Sequence, residues 1–151
     1  MDRDTKKKII ASVIMLLFFG SIIAFALISA IPGGTNYVHW HAKLVILIDN
    51  QQIQIPAGVG LTGNEEHPAV VHTHDIDNIM HKEGPDTLAL GNFFEVWGKT
   101  FNSTCIFEFC NNEEKTVKMT VNGNPNTEFD KYIFRDQDVI VIDYSWILEK
   151  I

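Results

Sequence analysis

Hydrophobic and polar positions divide the chain into two unlike parts. From Ile9 to Ile31 there are 23 residues without one charged side chain. As a helix this stretch would be roughly 34 Å long, enough to cross a hydrocarbon core of about 30 Å. A single segment in lipid must pair its own backbone amides, so the pattern predicts a helix. Pro32-Gly33-Gly34-Thr35-Asn36 then breaks it and reads as a linker.

Beyond the linker, short segments alternate or run apolar between turn residues. Tyr37–Asp49 reads as a strand, Asp49-Asn50-Gln51 as a turn, and Gln52–Pro56 as the returning strand. Gly58–Pro68 reads as a loop. Ala69–His74 and Ile79–Glu83 follow as strands, joined by a turn at Asp77-Asn78. Asp86–Trp97 has helical spacing in Leu88, Phe93, Phe94 and Trp97, with Asp86 or Thr87 as a cap and Gly98 as the stop. Lys115–Val121 alternates into Asn122-Gly123, a strong hairpin signal, and Asp138–Tyr144 is the last strand. The expected class is α+β: one N-terminal transmembrane helix, then a β-rich domain of 6–8 strands in an antiparallel or mixed sheet, with one short helix.

Charge gives the helix a direction. Lys6-Lys7-Lys8 precede it and no Lys or Arg follows until Lys43, so residues 1–8 should stay in the cytoplasm. The expected organisation is a basic N-terminus over 1–8, an anchor over 9–31, a linker over 32–36 and an extracytoplasmic domain over 37–151. The protein would then be a single-pass protein of the cytoplasmic membrane. A cleaved export signal is the alternative, with Ala24-Phe25-Ala26 and Ser29-Ala30 offering small residues for a peptidase. The apolar core of such a signal is typically about 7–15 residues. Either way the body is exported.

Setting aside the four basic and two acidic residues of the first 34, the 12 Lys+Arg and 19 Asp+Glu fall to 8 and 17, a balance near −9. This excludes nucleic acid as a natural partner and accommodates a metal ion. Membrane-protein partners are expected through the anchor, although it lacks a small-xxx-small stripe. The two cysteines, Cys105 and Cys110, read as a local disulfide in an exported domain. A free thiol or metal-ligand role is the alternative.

All six histidines fall between positions 39 and 81. His39-Trp40-His41 and His72-Thr73-His74 each put two imidazoles on one side of a strand. If the two strands neighbour each other, four rings converge, and a hairpin through Asp77-Asn78 returns His81 towards His72 and His74. Asp75 and Glu83 stand beside them as oxygen ligands or ring-orienting groups. Imidazole suits Cu²⁺ and Zn²⁺, so the expected metal ligands are His39, His41, His72, His74 and His81. The expected ion is copper or zinc, copper slightly preferred. His67 sits in the Glu65-Glu66-His67-Pro68 loop and is left out. No His follows either cysteine, which excludes a blue-copper site, and His-Glu-x-x-His is absent. His72-Thr73-His74-Asp75 has the wrong spacing to Asp77 for a metallo-β-lactamase, and the chain is too short for that class or for an α-carbonic anhydrase.

His39-Trp40-His41-Ala42, Ile55-Pro56-Ala57-Gly58, His72-Thr73-His74-Asp75, Ile79-Met80-His81-Lys82-Glu83 and Leu90–Gly98, with Phe93-Phe94 and Trp97-Gly98, carry a resemblance. The chain resembles an uncharacterised family of exported or membrane-anchored prokaryotic domains, and the likeness extends to Val121-Asn122-Gly123, over about two-thirds of the sequence. Asn78 stands where that pattern has Gly. The resemblance implies grouping of the five histidines and implies no activity.

Three functions compete. The first is a non-catalytic copper or zinc module, either handling metal or serving as an accessory subunit of a membrane complex such as a copper-dependent membrane oxygenase. The second is a metal enzyme with an open coordination position and Glu83 or Asp75 as general base; its small-molecule substrate is not encoded in any motif. The third is an interaction domain whose histidines are structural.

Overall fold

The computed structural model describes residues 2–29, 36–61 and 68–147. The chain forms two compact units, Met1–Gly34 and Thr35–Ile151. In the first, helix α1 spans Arg3–Ser29. Its apolar side chains from Ile9 to Phe25 are exposed around the helix, and it is long and apolar enough to cross a membrane. The last two residues of the expected anchor, the linker up to Thr35, and His67 lie outside the described residues.

The second unit is built on a seven-stranded mixed sheet. Its strands are β1 (Tyr37–Ile48), β2 (Gln51–Ile53), β3 (Val71–His72), β4 (Ile79–Pro85), β7 (Lys115–Val121), β8 (Asn124–Pro125) and β9 (Val139–Trp146). A separate two-stranded ribbon, β5 (Cys105–Ile106) with β6 (Phe109–Cys110), carries the Cys105–Cys110 disulfide. The order across the main sheet is β3-β4-β1-β9-β7-β8, with β2 also on β1. All pairings are antiparallel except β1 with β9.

Two expected hairpins form for the expected reason. Asp49 and Asn50 both have positive φ and separate the partners Ile48 and Gln51. Asn122 and Gly123 do the same between Val121 and Asn124. Both are two-residue turns with positive φ at each centre, whose twist matches that of the strands they join.

Alternation along β1 buries Ala42, Leu44, Ile46 and Ile48 and leaves Tyr37, His39, His41 and Lys43 on the other face. Met80 of β4, Ile140, Ile142 and Tyr144 of β9 and Val117, Met119 and Val121 of β7 extend the buried face. Helix α2 (Leu90–Trp97) adds Leu90, Phe93 and Phe94 to the same core, with Phe101, Ile106 and Phe134.

Helix α2 begins at Leu90, four residues after the start expected from Asp86. The chain before it is held open by Lys82, whose buried ammonium donates to the carbonyls of Asp86 at 2.8 Å and Leu88 at 3.0 Å. Those carbonyls therefore serve the strand, and Asn92 Oδ1 receives the Ala89 N–H at 3.0 Å as the helix start. Strand β3 is confined to Val71–His72, shorter than expected, and β9 runs on to Trp146.

Candidate metal centre

The histidine pairs owe their common direction to the residue between them. In β1, Trp40 turns towards the core side, where its ring stands 4.8 Å from the Lys82 ammonium. His39 and His41 are thus forced outwards, with 57% and 49% of their side chains exposed. In the second pair, Thr73 is buried. Its hydroxyl donates to the Pro56 carbonyl at 2.9 Å and accepts from the Val59 N–H at 3.1 Å. Backbone bonds between Thr73 and Gly58 and Val59 continue the zipper. The segment around Ile55-Pro56-Ala57-Gly58 therefore holds Thr73 in place just beyond the end of β3.

Strand order then places His81. The His39/His41 and His72/His74 strands are not neighbours; β4 lies between them. In register, His41 faces His81 on one side and His72 faces His81 on the other. The five rings consequently form two overlapping trios, His39/His41/His81 and His72/His74/His81, with candidate ligand atoms in each within 4.8 Å of one another.

Within each pair the Nε2 atoms stand 3.2 Å apart. Two nitrogens bound at about 2.0–2.1 Å to one tetrahedral ion are separated by about 3.3–3.4 Å, so both pairs already approximate one edge of such a site. The His81 ring centroid lies 4.6 Å from His41 and 4.5 Å from His74, so side-chain torsions suffice to bring a third nitrogen to either pair. The histidine trios are thus positioned to hold a metal ion.

The trios differ in surroundings. His72 is 1% exposed, and its Nδ1 lies 2.8 Å from the Ala69 carbonyl. A carbonyl accepts only from a protonated ring nitrogen, so in the neutral ring Nε2 carries the lone pair, and it is turned to His74. Around the other trio stand carboxylates. Glu83, the register partner of His39, has Oε1 3.4 Å from His39 Nε2. Asp136 Oδ1 lies 3.9 Å from His41 Nδ1 and accepts the His41 backbone N–H at 2.9 Å. That backbone bond holds the Asp136 carboxyl below the usual carboxylate range. Asp75 is exposed and belongs to neither trio.

Burial, reinforced by the four other imidazoles, lowers His81 to about 4. It is therefore neutral near pH 7, the state a metal ligand requires. Asp136 escaped sequence reasoning because it comes to His41 from 95 residues away and carries no local signal.

No protein-family model, curated protein or solved structure matches this chain.

Proposed function

We propose that this protein is a membrane-anchored, extracytoplasmic metal-binding domain that holds copper or zinc on the open face of its sheet. The carrying observation is that two His-x-His pairs present Nε2 atoms at 3.2 Å, each with His81 close by. Imidazole-rich sites favour Cu²⁺ over other divalent first-row ions, which makes copper the preferred occupant. The lysines in the first turns of α1 support a cytoplasmic N-terminus, and the Cys105–Cys110 disulfide fits an oxidising outer compartment. The long apolar helix suits an accessory or structural subunit of a membrane complex, a copper-dependent membrane oxygenase among them, or a metal-handling module. The resemblance to anchored prokaryotic domains agrees with this reading.

A second reading, a metal enzyme, draws on one observation. A three-imidazole site leaves a coordination position for water, and Glu83 stands beside His39, where it would serve as general base.

The test is elemental analysis of the full-length protein purified in mild detergent without added chelator. Copper or zinc should co-purify, and the double substitution His39→Ala with His72→Ala should strip it. Metal retained by that variant at the wild-type ratio defeats the assignment. Azide displacing a metal-bound water, followed by spectroscopy, would favour the enzyme.

A further inference from the structure

The arrangement goes beyond one ion in a pool of histidines. We propose that the centre holds two metal ions, one per trio, and that His81 bridges them, one ring nitrogen to each. This rests on the metal-binding reading and specifies its stoichiometry.

Three observations carry it. First, the five rings do not gather round one point: the mutually close sets are two, and His81 alone belongs to both. Second, the sheet enforces that division. Strand β4 separates β1 from β3, and neighbouring strands are about 4.8 Å apart. Register places His41, His81 and His72 in one cross-strand row, so His41 and His72 sit about two strand spacings apart. The ligand atoms of His39 and His41 accordingly fall in one close set and those of His72 and His74 in another, and an ion on each side of His81 fits that division. Third, each side has a complete pair of its own, with the same 3.2 Å Nε2 separation.

The sides are also chemically distinct. The His39/His41 ion has Glu83 and Asp136 beside it to offset charge. The His72/His74 ion has the buried His72, oriented by the Ala69 carbonyl, and imidazoles alone in its trio. A neutral imidazole has one lone pair and one N–H. The first ion takes the lone pair of His81. The second replaces the remaining ring N–H proton, which leaves to solvent, and His81 becomes an imidazolate linking two cations.

The test is titration of the full-length, metal-free protein in detergent with Cu²⁺, with bound copper measured after desalting and the electron spin resonance signal integrated at each step. Two equivalents should bind. The signal should rise with the first and fall with the second, because the bridge couples the two spins. The variants His39→Ala/His41→Ala and His72→Ala/His74→Ala should each bind one equivalent with an undiminished signal. His81→Gln, which keeps a polar side chain of similar reach, should abolish the coupling. Saturation of the wild type at one equivalent overturns the proposal while leaving the metal-binding reading intact. Two equivalents with fully additive signals overturn the bridge. No retained copper overturns the metal-binding reading itself, and this proposal with it.

Discussion

Lys82 holds the sheet and the loop before α2 together, and replacing it with methionine measures how strongly. The side chain is fully buried. Its ammonium donates to three carbonyls, those of Asp86, Leu88 and Phe134, at 2.8, 3.0 and 3.2 Å. It also lies 4.8 Å from the Trp40 ring and 4.7 Å from the Phe134 ring. Methionine keeps most of the apolar stem and removes every donor. Each carbonyl deprived of its partner costs about 1.5 kcal/mol, and each lost ring contact about 0.5–1 kcal/mol. Burial of the charge works in the opposite direction. It lowers Lys82 from 10.5 to about 8, which at about 1.4 kcal/mol per unit is a cost of about 3 kcal/mol that methionine escapes. The donors win, and Lys82→Met should lose about 3 kcal/mol. Urea unfolding of the full-length protein in detergent, followed by tryptophan fluorescence, reads this as a lower midpoint at unchanged slope. The pH dependence supplies a second readout. Between about pH 8 and 10.5 the folded protein has released the Lys82 proton and the unfolded chain has not, so wild-type stability gains from this group as pH rises. The variant should lack that gain. A variant as stable as the wild type, or more stable, would refute the reasoning, since it would mean that burying the charge costs more than its partners return.

Other positions offer sharper contrasts. Gly60 has φ +78, and a Cβ there would lie 2.8 Å from the Val71 carbonyl, so Gly60→Ala should cost about 2–3 kcal/mol and weaken the proposed metal binding through His72, which follows Val71. Gly58, at φ +74 with open space around it, should cost only about 1 kcal/mol as alanine, and equal losses by thermal unfolding would contradict this. Serine at both Cys105 and Cys110 opens a loop with a sequence separation of only 5, and should lower stability by about 2 kcal/mol in the same unfolding assay. Burial, and a hydrogen bond donated to Asp138, raise Tyr132 to about 12. The folded state thus retains the phenol proton after the unfolded chain has lost it, so stability from this group falls from about pH 10 to 12. Tyr132→Phe should flatten that decline and remove a phenol that titrates near pH 12 from an ultraviolet absorbance titration.

The sequence by itself determined whatever depends on neighbouring residues. The uncharged stretch after Lys8 makes a helix wherever it is placed, because its backbone amides pair with one another. Asp49-Asn50 and Asn122-Gly123 accept positive φ and make their hairpins. A period of two puts His39 with His41, and a turn at Asp77-Asn78 returns His81 to His72. Only the tertiary structure decided which strands lie side by side. That choice comes from burying Leu44, Ile46, Ile140 and Ile142 in one core, an energy that sums over distant residues and leaves no mark in a local window. It put β4, not β3, beside β1, and so made His81 the member common to both trios. It also delivered Asp136 to His41 and buried Lys82 among three carbonyls from two segments. Ligand types are written locally, whereas how the ligands divide between positions is set by packing across the whole sheet.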